Sequence, residues 1–155
     1  MLKPVKKTEV ARTGGRFAIV ASRYNAEYVD AMVRAAQSVF KRAEAKMRIV
    51  RVPGAFEIPA VASKLASKES RLSGIVCLGV IFQGQTSHAQ HIGWGVTHAL
   101  AQIQVQYKIP VIHGVFVFDK VKHAKVRCLG AEHNRGHEAA QTALEMARTM
   151  ASLGR

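Results

Sequence analysis

Between Leu72 and Tyr107 the chain carries no lysine, arginine, aspartate or glutamate, although its 155 residues include 23 Lys and Arg. A stretch that long without charge is expected to be interior, either of the fold or of an assembly. Acidic residues are scarce as well: 10 Asp and Glu leave a formal net charge of +13, which invites a polyanion partner, an acidic surface or an anionic substrate. The cations are scattered from Lys3 to Arg155, with neither the basic helix nor the aromatic-basic interleaving of a nucleic-acid module. No nucleic-acid partner is therefore expected, and a phosphorylated small molecule fits better. The 2 cysteines, Cys77 and Cys128, lack both metal-ligand spacing and the density of a disulfide scaffold, and read as reduced thiols. No apolar run is long enough to cross a bilayer, and Met1 to Arg16 lack the apolar segment of a secretory signal. The expectation is a cytoplasmic protein without a membrane partner.

What is present fits one globular domain, with 48% hydrophobic and only 21% charged residues. Residues 1–15 are polar and basic, with Pro4 and the Gly14-Gly15 pair, and read as a flexible arm before a single domain over 16–155. Arg16 to Ala21 is a short β-branched run, followed by a helix that Asn25 can cap, with Val29, Met32, Val33, Ala36, Phe40 and Ala43 at helical spacing. Met47 to Val52 is a strand whose Arg48 and Arg51 suit a sheet edge. A helix should start near Glu57-Ile58-Pro59 and run to about Ser70, since Pro is tolerated in a first turn. Ile75 to Phe82 is an unbroken apolar strand, and Pro110 to Phe118 a further one. The helix between them is rich in glutamine, and a helix that is polar without charge suits packing against a partner. Helical pattern then covers roughly Lys122 to Cys128 and, after Gly130, Asn134 to about Ser152.

Strands alternating with helices imply a parallel sheet covered on both faces, and ligands of such sheets sit at the carboxyl ends of the strands. That rule gathers Ser22-Arg23-Tyr24-Asn25, Val52-Pro53-Gly54-Ala55-Phe56-Glu57, Ile81 to His88 and His113 to Phe118 along one edge. The junction Gln83 to His88 is a polar turn opening onto a helix, where free backbone N–H groups and the positive end of the helix dipole favour an anion, phosphate first. The pairs His88/His91 and His133/His137 lack a third ligand, so no metal is expected. Glu57 taken alone would complement a helix N-terminus, and Arg127, among Lys120, Lys122 and Lys125, would be part of a solvated face.

Val-Pro-Gly-Ala-Phe-Glu-Ile-Pro at 52–59, Gly-x-x-x-Gln-Gly-Gln-Thr-Ser-His at 79–88, Ile-Pro-Val-Ile-x-Gly-Val at 109–115 and Asn-Arg-Gly at 134–136 before an Ala-rich helix occur in that order. Together they resemble the 6,7-dimethyl-8-ribityllumazine synthase family over about residues 16 to 153. The expected fold is then α/β, three-layer and flavodoxin-like, with a four-stranded parallel sheet in the order 2-1-3-4. The family condenses 5-amino-6-(ribitylamino)uracil with 3,4-dihydroxy-2-butanone 4-phosphate in riboflavin biosynthesis, without metal or organic cofactor. The resemblance implies that Tyr24 stacks on the pyrimidine beside Asn25, that Ala55, Phe56 and Glu57 hold the ribityl chain, and that Ile81 and Phe82 meet the pyrimidine through their backbones. Gly84, Gln85 and Thr86 with Arg127 would hold phosphate, or sulfate in its place. His88 would move protons, Arg135 would sit near the pyrimidine edge, and His113 would enter from a neighbouring subunit.

The chain departs from the family pattern at several positions. The family usually has Phe at Tyr24, a cation at Gln83, often an acid at Gln85, an aromatic and an acid at Ala89-Gln90, Phe at His113 and Lys at Arg135. Tyr stacks as Phe does and Arg replaces Lys as a cation, whereas Gln90 and His113 alter the charge of the pocket. A catalytically weak flavin- or lumazine-binding or structural paralogue is the alternative these departures keep open. The resemblance further implies a homo-oligomer, with riboflavin synthase as a candidate partner. Shell-forming members tend to carry a Gly-Thr-Lys-x-Gly-Asn-like turn, where this chain has Leu129-Gly130-Ala131-Glu132-His133-Asn134. A pentamer or a dimer of pentamers is therefore expected ahead of a sixty-subunit shell.

Overall fold

A computed structural model describes residues 2–154; Met1 and Arg155, the outer bounds of the expected arm and domain, lie outside them. Strands β1 (Arg16–Ser22), β2 (Lys46–Val52), β3 (Gly74–Phe82) and β4 (Val111–Phe118) form one parallel sheet in the order β2-β1-β3-β4, as expected. Helices α1 (Ala26–Arg42), α2 (Ile58–Lys68), α3 (His88–Tyr107), α4 (Val121–Ala124) and α5 (Arg135–Ser152) connect and cover it.

Successive side chains of a strand point to opposite faces, and this alternation divides the interior in two. Phe17, Ile19, Ala21, Val76, Leu78, Val80, Ile112 and Phe118 face α1 and α5. Ala18, Val20, Ile75, Cys77, Val111 and Val115 face α2 and α3. β3 lies between β1 and β4 and is buried from Gly74 to Val80, which is why it reads as a continuous apolar run rather than an alternating one. The arginines of β2 stand at an edge, where Arg51 pairs with Asp30 at 2.7 Å and Arg48 pairs with Glu69. The other edge, β4, has no such charges in its Val-Ile-His-Gly-Val-Phe-Val-Phe sequence.

The charge-free stretch therefore serves two different surfaces. β3 is interior to the fold, but α3 buries only Ala89, Val96, Leu100 and Ile103, and leaves Trp94 and Val105 68% and 75% exposed. α5 crosses α1 so closely that a Cβ at Gly136 would lie 2.0 Å from the Met32 carbonyl oxygen, so only glycine fits there. Asn134 caps α5, its Oδ1 accepting from Gly136 N at 2.9 Å and His137 N at 3.2 Å, while its Nδ2 donates to Cys128 O at 2.8 Å.

Local differences from the sequence reading have identifiable causes. The helix expected from Glu57 begins with a tight 3₁₀ turn, Ala55–Glu57, and becomes α-helical only at Ile58, beside Pro59 in its first turn. The helix expected over Lys122 to Cys128 divides into α4 and a wider π turn, Lys125–Leu129, with Cys128 turned inward and fully buried. The N-terminal arm lies against α5 and the loop before it: Val5 N donates to Glu132 O at 2.8 Å, and His133 Nδ1 donates to Lys3 O at 3.2 Å.

Candidate functional site

The carboxyl ends of β1, β2 and β3 shape one cavity of about 350 Å³, lined by Tyr24, Asn25, Phe56, Glu57, Ile81 and Phe82 among others. Backbone bonds build it. Arg23 N and Tyr24 N both donate to Pro53 O at 3.0 Å, which ties the turn after β1 to the turn after β2 and presents the Tyr24 ring, 66% exposed. Phe56, 62% exposed, faces the same cavity, so two aromatic rings that the core does not use stand at its rim. Large exposed aromatics around a concavity are the usual material of a planar-ring site.

Asn25 does not cap α1 with its side chain. It sits in the left-handed region at φ 59, and its Nδ2 donates to Val80 O at 2.7 Å, so the amide is spent bridging two strand ends. Glu57 Oε2 accepts from Gly54 N at 2.8 Å, closing the 3₁₀ turn on itself. This satisfies the simple helix-capping role of Glu57 and also fixes the carboxylate on the cavity wall, where a carboxylate accepts hydroxyl hydrogens. A Cβ at Gly54 would lie 2.9 Å from that carboxylate oxygen and 3.0 Å from the Tyr24 ring, so a side chain there would displace both site groups.

Gln83 to Ser87 form the turn that opens α3. Gln83 N donates to Phe118 O at 2.8 Å, and Gln83 Nε2 donates to Gly84 O at 3.2 Å and Thr86 O at 2.6 Å. Thr86 Oγ1 accepts from His88 N at 3.3 Å, and Gly84, Gln85, Thr86 and His88 are all exposed. A Cβ at Gly84 would meet nothing within 4 Å, so that glycine leaves open space rather than serving a tight packing contact.

His113, Arg127 and Arg135 stand elsewhere. They line a second cavity of about 730 Å³ at the open edge of β4, together with Asp119, His123 and Glu138. Arg135 pairs with Glu138 one turn along α5, and Arg127 projects from the π turn. His113 has a fixed tautomer. Val115 N donates to its Nδ1 at 3.2 Å, so that nitrogen is unprotonated, and Nε2–H donates to Thr97 Oγ1 at 2.7 Å, which in turn donates to Gly93 O at 2.8 Å. Burial pushes its pKa below 6.5, opposed by hydrogen bonding at its own backbone. A second proton on Nδ1 would also confront the Val115 N–H.

Within one chain, then, Tyr24, Asn25, Ala55, Phe56, Glu57, Ile81 and Phe82 come together, while His113, Arg127 and Arg135 line a different cavity. The turn at 84–86 and His88 belong to neither lining. Nothing in the sequence marks Thr97 as the partner of His113, because the two meet only through the packing of α3 on β4. Glu138 could have been noticed from its spacing of three from Arg135 on a helix. Among the described residues no group of three or more His, Cys, Asp or Glu could hold a metal ion, and no helix is long and apolar enough to cross a membrane.

The family model for 6,7-dimethyl-8-ribityllumazine synthase matches residues 14–151. The 6,7-dimethyl-8-ribityllumazine synthase of Stenotrophomonas maltophilia strain K279a is 37% identical over 141 residues, covering 89% of this chain and 90% of that protein. Its counterpart in strain R551-3 is 36% identical with the same coverage. With a strand order, a set of motifs and a nearly full-length match in agreement, the chain belongs to the 6,7-dimethyl-8-ribityllumazine synthase family, transferases of riboflavin biosynthesis.

Proposed function

We propose that this chain condenses 5-amino-6-(ribitylamino)uracil with 3,4-dihydroxy-2-butanone 4-phosphate, and that each active site is completed between two copies of the chain. One observation carries the second half of this reading: the aromatic and carboxylate residues line one cavity, and the cations and His113 line another at a free strand edge. Neither cavity alone offers both a ring-binding wall and a phosphate-binding charge. Packing the β4 edge of one copy beside the Tyr24 cavity of the next supplies both. The same packing covers the uncharged face of α3 and the half-buried apolar edge of β4, surfaces that would otherwise invite unspecific association.

In the proposed reaction the uracil's amine attacks the butanone carbonyl and, losing water, gives an imine. Proton removal then expels inorganic phosphate, and closure of the second ring expels a second water. Tyr24 and Phe56 hold the pyrimidine and the ribityl chain, and Glu57 accepts from ribityl hydroxyls. The turn at Gly84, Gln85 and Thr86 with Arg127 receives the phosphate, Arg135 meets the pyrimidine edge, and His88 relays protons. Holding two reactants in one orientation removes a large part of the entropic barrier, and a positioned proton relay typically adds about 10²- to 10⁴-fold.

The direct test is incubation with both substrates while following lumazine fluorescence and phosphate release; absence of product overturns the reaction. The assembly is a ring of at least five copies, as a pentamer or a pair of pentamers rather than a sixty-subunit shell. A monomer mass by light scattering at micromolar protein overturns that part and leaves the chemistry to be judged separately.

A further inference from the structure

We propose that Gln83 is a positioning residue that aims the phosphate-binding turn, doing with a neutral amide what a local cation cannot do in a segment that has none. The proposal rests on the reading of Gly84 to Thr86 as the phosphate turn. Its basis is a knot of hydrogen bonds. Gln83 Nε2 donates to the carbonyls of both Gly84, at 3.2 Å, and Thr86, at 2.6 Å, while its own backbone N–H is fixed to Phe118 O at 2.8 Å. Gln83 is therefore anchored through its backbone to the end of β4, while its side chain grips two alternate carbonyls of the turn.

In a planar trans peptide the carbonyl of one residue and the N–H of the next point in opposite directions. Holding the carbonyls of Gly84 and Thr86 against Gln83 thus turns the N–H groups of Gln85 and Ser87 away from it, on residues that are both exposed. Neither N–H has an acceptor among the described residues. The carbonyl oxygens, which would repel an anion, are occupied; the N–H groups, which attract one, are released. Gln83 Oε1 is buried without a hydrogen-bond donor, so the amide is held by its NH₂ end alone despite the cost of leaving an acceptor unpaired. Released from Gln83, either peptide plane is free to rotate and present its oxygen to the anion.

The test uses the chain in its native assembly. Inorganic phosphate binding is measured by calorimetry for wild type and for Gln83→Met, which keeps length and neutrality but has no donor. Losing the two bonds is expected to weaken phosphate binding roughly tenfold and to raise KM for the phosphorylated butanone by a similar factor. The maximal rate and the affinity for the ribityl-uracil should stay within about twofold, which a general loss of structure would not allow. Gln83→Lys, which restores donors, should bind phosphate at least as tightly as wild type. If Gln83→Met does not fold, Gln83→Asn, too short to reach Thr86 O, must show the same weakening. Equal phosphate binding by wild type and the donor-free variant overturns the proposal, as does a wild type that binds no phosphate. A wild type that binds phosphate through Gln83 but makes no lumazine overturns the proposed reaction and leaves this inference standing.

Discussion

The two cavities are built by different means. Around Tyr24 the backbone does much of the positioning: the turns after β1 and β2 share Pro53 O, Asn25 bridges to Val80, and Glu57 closes on Gly54, each bond lying within a few residues of a strand end. At the β4 edge the two cations are long side chains, Arg135 paired with Glu138 and Arg127 on the π turn, and only His113 is also tied to the backbone, through Val115 N. The first is a rigid wall suited to a planar ring, and the second is an adjustable cationic surface suited to a charged, departing group. Within the proposed reaction the rigid half should govern binding of the uracil, and the adjustable half use of the phosphate.

Variants separate the two halves. His88→Ala should have the largest effect, lowering kcat by about 10²- to 10⁴-fold with little change in KM, because a proton relay acts in the transition state. An unchanged kcat would remove His88 from the chemistry. Arg127→Ala comes next: a charged hydrogen bond is worth about 1.5–3 kcal/mol, so use of the phosphorylated substrate should weaken roughly 10- to 150-fold while the ribityl-uracil binds as before. Equal phosphate binding in wild type and variant would pass the role to Lys120, Lys122 or Lys125. Tyr24→Ala should do the converse, weakening the ribityl-uracil by about tenfold and sparing phosphate. Mixing disassembled Tyr24→Ala and Arg127→Ala chains and letting them reassemble should raise activity at limiting substrate above that of either variant alone, since some interfaces would then pair two intact halves. No recovery would place both halves in one chain and break the comparison at its root.

The smallest effect concerns pH. His113 has its pKa lowered in the folded state, so on acidification the unfolded chain takes up this proton first. The stability it confers is complete above about pH 6.5 and falls as the pH drops from there towards the folded-state pKa. His137, its pKa lowered by burial and by the Arg42 and Lys7 charges, acts in the same direction. His113→Phe should therefore lose less stability than wild type between pH 7 and 5, as read by thermal melting, and a parallel loss would show that the ring is not held neutral.

Much of this molecule is legible as sequence because it rests on short-range rules. The apolar run Ile75 to Phe82 reads as a buried strand, Arg48 and Arg51 suit a sheet edge, and the Asn134 cap has a local cause. The motifs around Phe56, Gly84 and His88 named the family for the same reason: the backbone geometry they require is encoded where they stand. Tertiary structure decided what depends on the separation of distant residues. It diverted the Asn25 amide from the expected cap to Val80, 55 positions away, because left-handed geometry and a nearby strand end made that the better bond. It joined His113 to Thr97, and it set Arg127 and Arg135 at the far edge of β4 rather than beside Tyr24. Composition showed that residues 72–107 avoid charge, but only the packing showed that β3 does so for the interior of the chain while α3 keeps Trp94 and Val105 outside it. Hydrophobic spacing records that a surface is to be covered; which atoms cover it is settled by where the sheet order brings the helices and the strand edges.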